Sequence, residues 1–457
     1  MKHFQFSGLL QNDGWHDDVI VSVDNDGIIT AIQQEKIEGA EVVNGYALPG
    51  FQNAHSHAFQ YAMAGLAEKH KSGTVADDFW SWREAMYQLA LTMSPDDLES
   101  VATMLYSEMA RHGYTHVAEF HYLHHDIKGR PYQNLAEHGE RLIAAAEKAG
   151  IKITLVPMFY QKGGFGMEPQ VKQRRFISKD EAEYLNLLEA SREATDRYAG
   201  ASLGYGIHSL RAVDPSLIKS FLAENKLAIP FHIHISEQLK EIEDCKAFLG
   251  KRPVEWLLHN TDVSENYHLV HATHLIDSEV VGIANANAHV VLCPSTEGNL
   301  GDGIFPLKQF QKLGGRWSIG TDSHIGLNPL EELRILDYGQ RLTSHQRSTF
   351  VDHQISDSGE YAIKQSQLAG RAAMGNQKQA YFEIGQPLDA VVYDAQKPLL
   401  STVSTANRLS TIVYASDSSW VKGTIVNGGW IVKDQNHVKA DGVTIDFVKT
   451  MNALAVR

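Results

Sequence analysis

The chain has 457 residues, 43% of them apolar, and carries 41 Lys and Arg against 55 Asp and Glu, a formal net charge of −14. That length and aromatic content imply a large core in two or three domains, or one barrel with an appendage, and exclude dominant disorder; the absence of a Lys/Arg cluster excludes a nucleic-acid groove. No run approaches the roughly 18 apolar residues of a membrane span, no apolar leader opens the chain, and Cys245 and Cys293 are too few for a disulfide framework, so a cytoplasmic protein is expected.

The first stretch alternates apolar and polar residues, as in DVIVSVDNDGIITAIQQ, with Asn25-Asp26-Gly27 as a hairpin turn. Eight strand-like runs follow: ALPGFQNAHSH, THVAEFHY, KITLVPMFY, SLGYGIHSL, AIPFHIHIS, YHLVHATH, HVVLCPST and RWSIGTDSH. Helical patterns lie between them, among them DDLESVATMLYSEMARHG, LAEHGERLIAAAEKAG and DEAEYLNLLEASREATDRYAG, with apolar residues at 3.6-residue spacing. Near the end LDAVVYDAQ, STIVYASD, VKGTIVNGGWIVKDQ and VTIDFV read as strands again. Strands alternating with helices predict an α/β chain with a closed parallel (β/α)₈ barrel, and no GxGxxG follows any strand to favour a dinucleotide fold.

Six of the strand ends carry chemistry: His55 and His57, Glu119 and His121, His208, His232 and His234, His271 and His274, Asp322 and His324. In a barrel those ends form the rim where active sites are built. His55 and His57 share one face of their strand, as do His232 and His234, and Glu237 follows the second pair by three residues. Imidazoles with a carboxylate suit Zn²⁺ with a position left for water, whereas the two cysteines are not spaced as a zinc pair. His121, His124, His125, His274 and His324 receive no assigned role. The GGFG stretch at Gly163 to Gly166 suits an active-site loop better than a phosphate cradle, and Gly301 to Gly303 either lines the rim or turns the chain.

HSH on the first strand, H-x-x-E on the fifth, His on the sixth and Asp on the eighth resemble the amidohydrolase superfamily of metal-dependent barrel hydrolases. The resemblance spans nearly the whole chain. It implies a barrel over residues 49–385 and a small β-sandwich domain assembled from residues 1–48 and 386–457. It implies His55, His57, His234 and Asp322 as ligands of one divalent ion, Zn²⁺ or else Fe²⁺, with Glu237, His271 and Asp322 as catalytic groups and His232 a mere neighbour. Two-metal members use a carboxylated lysine on the fourth strand; SLGYGIHSLR has none, so a single ion is expected.

HAFQYAMAGLAE, DDFWSWREAMY, AEFHYLHHD and GIHSLRAV narrow the likeness to members that hydrolyse N-formimidoyl-L-glutamate to N-formyl-L-glutamate and ammonia in histidine degradation. That dicarboxylate needs guanidinium forks away from the metal, which points to Arg211 and then Arg83. For Arg83 the alternative is a salt bridge on its own helix. The resemblance adds Gln60, Tyr122 and His208 as substrate contacts, and implies a homodimer. The aromatic run Phe79, Trp80, Trp82 is read as packing that could also cover the site. Two other functions stay open: deamination of a purine or pyrimidine base, and a barrel that has lost catalysis and serves as a scaffold.

Overall fold

The computed structural model describes residues 1–66, 79–224, 227–347 and 349–454, with Phe79, Trp80 and Ser81 described by backbone alone. The eight predicted strands form one parallel array in chain order: Phe51–Ser56, Tyr114–His121, Lys152–Phe159, Tyr205–Ser209, Phe231–Ile235, Tyr267–His271, His289–Leu292 and Arg316–Ile319. The three quoted helical patterns are the helices Pro95–Arg111, Glu137–Ala149 and Glu181–Thr195. The first begins as its sequence dictates. Ser94 and Asp97 form a reciprocal capping box around Pro95, which satisfies amide donors that the first turn otherwise leaves open.

The array closes where the eighth strand returns to the first. Thr321 and Asp322 donate backbone N–H groups to the His55 carbonyl at 3.1 and 3.0 Å, and His57 donates to the Asp322 carbonyl at 3.2 Å. The Asn53 side chain adds a reciprocal pair, accepting from the Thr321 amide at 3.0 Å and donating to its hydroxyl at 2.8 Å. Only a glycine fits beside this seam, because a Cβ on Gly320 would lie 2.9 Å from both the His55 nitrogen and its carbonyl oxygen.

Both termini contribute to one eight-stranded mixed sheet. Its order is Asn436–His437, Gly429–Lys433, Val421–Val426, Ala390–Asp394, Glu41–Pro49, Lys2–Gln11, Gly14–Val23 and Ile29–Gln33. The halves join where Glu41–Pro49 runs antiparallel to Ala390–Asp394. The sheet meets the barrel near the N-terminal ends of its strands: Thr424 donates to the Ala110 carbonyl at 2.6 Å, and His437 bonds the Ala149 carbonyl at 2.8 Å. The opposite rim is left to the active site.

Two expected strands are helices. STIVYASD lies largely in Arg408–Ala415, where Arg408, Leu409, Ile412 and Val413 are buried, and VTIDFV lies in Ala440–Leu454. In the second, partly or fully buried positions fall at 443, 447, 450, 451 and 454. That is one helical stripe, and it outweighs the two-residue alternation visible over only six residues.

The hairpin turn at Asn25-Asp26-Gly27 tests how the two ends are bound together. Gly27 has φ of +81°, and a Cβ there would sit 1.8 Å from the Asn427 carbonyl oxygen. Gly27→Ala is expected to lower stability by about 1–3 kcal/mol, seen as a reduced unfolding midpoint; an unchanged midpoint would mean that the two turns are not held in register.

Candidate active site

His55 and His57 meet because alternate residues share a strand face, and His234 joins them from the fifth strand. Their Nε2 atoms form a near-equilateral triangle: 3.1 Å from His55 to His57, 3.3 Å from His57 to His234 and 3.1 Å from His234 to His55. Asp322 Oδ1 lies 3.4 and 3.3 Å from the first two. Two of these rings have their proton placed by a backbone oxygen, which can only accept. Nδ1 of His57 donates to the Phe120 carbonyl at 2.8 Å, and Nδ1 of His234 donates to the His208 carbonyl at 3.1 Å. Their Nε2 lone pairs therefore face each other, with a carboxylate alongside, an arrangement that repels itself unless a cation sits between. Tetrahedral zinc, with bonds of about 2.0–2.1 Å, separates its donors by about 3.3 Å, so the spacing fits such an ion.

Burial keeps the imidazoles neutral, the form that ligates. It depresses His55 and His234 far below the ordinary imidazole range and His57 to about 3. His232, two residues before His234 on the same face of that strand, instead stacks on His268 at 4.8 Å and bonds the Ala373 carbonyl at 3.1 Å.

Beside the triangle stands an acid and base group. His271 directs Nδ1 at Glu297 Oε1, 3.3 Å away, while its Nε2 faces Glu237 Oε1 at 3.7 Å and Asp322 Oδ2 at 3.8 Å. Burial alone would lower His271, but Glu237, Glu297 and Asp322 together raise it to about 10. Burial pushes Glu237 up to about 7, against the pull of His271 and Arg211. The strand ends that present these groups are strained: Ser236, His271, Ala272, Asp322 and His324 all have positive φ, between 45° and 68°.

One cavity gathers the remaining candidates. His57, His234, Glu237, His271 and Asp322 line it with Gln60, Arg83, Tyr122, His208 and Arg211; His55 is buried beneath. Gln60 donates to the Tyr122 hydroxyl at 2.9 Å. Arg211, almost buried, lies 3.5 Å from Glu241. Arg83 has its guanidinium over the Tyr87 ring at 5.6 Å, while its acidic neighbour Glu84 pairs with Lys172. Trp82 also lines the cavity; Phe79 and Trp80 have side chains outside the described residues.

Several groups here have no mark in the local sequence pattern. Tyr87, Tyr160 and Phe176 form aromatic wall. Glu241 accepts the backbone N–H groups of Ser236 and Glu237 at 3.3 and 3.0 Å, so one buried carboxylate steadies both the H-x-x-E turn and Arg211. Asp302, in the Gly301 to Gly303 turn, is buried near Glu237 and accepts from Gln238; burial and Glu237 push its acid up to about 9. His121, His124, His125 and His324 are buried as well, with His124 and His125 bonded to the carbonyls of Met158 and Ile177 at 3.0 and 2.8 Å. The GGFG segment turns tightly through Gly164 and Met167, and Phe165 packs on Phe248 at 6.0 Å beside the cavity mouth. Cys245 and Cys293 are buried free thiols.

A parallel barrel with three imidazoles and a carboxylate converging at its rim defines a barrel hydrolase of the metal-dependent class. The model of the amidohydrolase family matches residues 46–431. The chain is 43% identical over 444 residues, 97% of each chain, to formimidoylglutamate deiminase of Pseudomonas aeruginosa. It is 25% identical over 402 residues, 86% of this chain and 82% of the other, to 5-methylthioadenosine/S-adenosylhomocysteine deaminase of Thermodesulfovibrio yellowstonii. Among solved structures, an amidohydrolase from Brucella melitensis matches with a TM-score of 0.92 and 40% identity, covering 100% of both chains. An adenosine deaminase from Xanthomonas campestris with bound zinc shares the fold, with a TM-score of 0.82 at 18% identity over 100% of this chain and 98% of the other. The chain belongs to the amidohydrolase family and is an enzyme.

The two histidines of the fifth strand give a direct check. His234→Ala is expected to lose its metal on dialysis while His232→Ala retains it, read by elemental analysis; loss from the His232 variant alone would reverse the assignment.

Proposed function

We propose that the chain hydrolyses N-formimidoyl-L-glutamate to N-formyl-L-glutamate and ammonia. The observation that carries this reading is the division of one cavity's lining between hydrolytic groups, His57, His234, Asp322, His271 and Glu237, and the guanidinium groups of Arg211 and Arg83. A molecule with an amidine at one end and two carboxylates at the other is complementary to that division. The 43% identity to a formimidoylglutamate deiminase supports the same substrate.

One divalent ion, zinc by its nitrogen and oxygen donors with Fe²⁺ as the alternative, would be held by His55, His57, His234 and Asp322; when bound it supplies a Lewis acid that makes water nucleophilic near neutral pH. Asp322 Oδ2 takes the proton that the attacking water gives up, and His271 Nε2, 3.8 Å away on a ring that its acidic neighbours keep protonated, supports it as one coupled group. His271 also stabilises charge developing on the amidine carbon's new oxygen. Glu237 holds the imino nitrogen and passes to it the proton given up by water; the proton of the new hydroxyl follows as that oxygen becomes the formyl carbonyl, so that the C–N bond breaks with ammonia as leaving group. Arg211 and Arg83 hold the carboxylates. Gln60, Tyr122 and the neutral His208 orient the chain between the two ends; burial, then the nearby Arg211 charge, keeps His208 from protonating. The reading carries with it a place in histidine degradation, a cytoplasmic location and a homodimer.

A base deaminase would share the metal ligands, and the aromatic wall of Tyr87, Tyr160 and Phe176 could stack a heterocycle. Two guanidinium groups in the same cavity favour the dicarboxylate, since a neutral base offers no charge to repay their desolvation. The scaffold alternative fails on family membership.

Ammonia release from N-formimidoyl-L-glutamate, with guanine and cytosine as competitors for the assignment, tests the substrate: turnover of the first alone is expected, and turnover of a base alone would overturn it. His271→Asn is expected to lower kcat by about 10²-fold or more, with metal content unchanged. Arg211→Met is expected to cost a few kcal/mol in kcat/KM, about 2–5, mostly through KM; unchanged kinetics would remove Arg211 from recognition.

A further inference from the structure

Glu119, on the second barrel strand, is a buried acid that the reaction does not use. Its carboxylate has three donors. Oε1 accepts from the Ala58 backbone N–H at 2.6 Å, and Oε2 accepts from the Ser56 hydroxyl at 2.6 Å and the Tyr106 hydroxyl at 3.0 Å. Ser56 and Ala58 are the residues on either side of His57. The next residue along the strand, Phe120, accepts the His57 Nδ1 proton through its carbonyl at 2.8 Å, and its ring packs against His55, His57 and His234 with centroids 4.8, 5.2 and 4.3 Å away. Two consecutive residues of the second strand therefore grip three consecutive residues of the first, with His57 in the middle. The grip acts at the barrel seam, where Ser56 is paired with Asp322 and His57 N–H donates to the Asp322 carbonyl.

We propose that Glu119 is a positioning residue for the metal centre: by clamping Ser56 and Ala58 it holds the His57 imidazole in the orientation that completes the ligand triangle. Of the three imidazoles, His57 is the one that needs such help, because it lies past the end of its strand, Phe51–Ser56, whereas His55 and His234 lie within theirs. A carboxylate suits the task better than an amide, since its two oxygens accept from all three partners at once, whereas an amide has one accepting oxygen and would force the two hydroxyls to turn their protons away and accept instead. Groups that orient a metal-binding histidine typically contribute about 10–100-fold to metal affinity. This inference rests on the metal-centre reading proposed above.

The test is zinc affinity of the purified, zinc-loaded enzyme, measured by competition with a chromophoric chelator, alongside the unfolding midpoint of the metal-stripped protein. Glu119→Gln and Ser56→Ala are expected to weaken zinc binding by about 10–100-fold, with KM at saturating zinc unchanged. Tyr106→Phe removes a donor to the carboxylate without touching the His57 segment, and is expected to leave affinity close to that of the parent. If Glu119→Gln does not fold, Ser56→Ala against Tyr106→Phe decides. Parental affinity in Glu119→Gln or, failing it, in Ser56→Ala would overturn the proposal, as would equal weakening in Tyr106→Phe, which would mark a general packing effect. A parent enzyme that binds no zinc or iron would instead overturn the metal-centre reading itself.

Discussion

Ring nitrogens of three buried histidines and one carboxylate oxygen face a single point, and the rings of His57 and His234, whose Nδ1 protons go to backbone carbonyls, turn lone pairs toward it. Burial removes the option of relieving their repulsion by protonation, because an imidazolium is disfavoured there. A cation between them is the solution we propose. The other features of the rim follow from keeping those lone pairs aimed. Backbone carbonyls on the second and fourth strands each take up the Nδ1 proton of a proposed ligand, so the barrel's strand order itself aims these imidazoles.

Aiming side chains from strand ends has a conformational cost. Five rim residues other than glycine adopt left-handed backbone, each at roughly 1–3 kcal/mol. The structure holds them with hydrogen bonds and packing around them. Glu241 ties down the turn bearing Ser236 and Glu237, Glu297 accepts both the Cys293 amide at 2.9 Å and the His271 ring proton, and the Asn53–Thr321 pair secures the seam next to Asp322. The terminal sheet packs near the other ends of the strands, away from the strained rim.

Much of this was readable in the sequence, and the reason is periodicity. A strand repeats every two residues, so H-x-H announces two imidazoles on one face, and alternating strands and helices announce a barrel whose chemistry lies at one end. Choosing His234 over His232 needed the likeness to a known family as well as the strand pattern, and the packing of His232 on His268 agrees with it. Two helices near the C-terminus were misread because STIVYASD and VTIDFV are too short and too rich in β-branched residues to separate a period of two from one of 3.6. Glu119, Glu241, Glu297 and Asp302 were harder still. Their roles arise from partners far away in the chain, and a glutamate in AEFHY looks the same whether it meets solvent or three buried donors. A weak signal did exist: Glu119 lies inside a strand whose neighbours Ala118 and Phe120 are core residues, and an acid so placed must find hydrogen-bond partners.

The central claim is that one ion occupies the space between His55, His57, His234 and Asp322. Anomalous diffraction from crystals of the enzyme, recorded on either side of the zinc and iron absorption edges, measures this directly. The account predicts a single strong peak equidistant from the three Nε2 atoms and bonded to Asp322. A second peak of equal strength beside it, a peak elsewhere on the rim, or a water-filled triangle in fully active enzyme would contradict it.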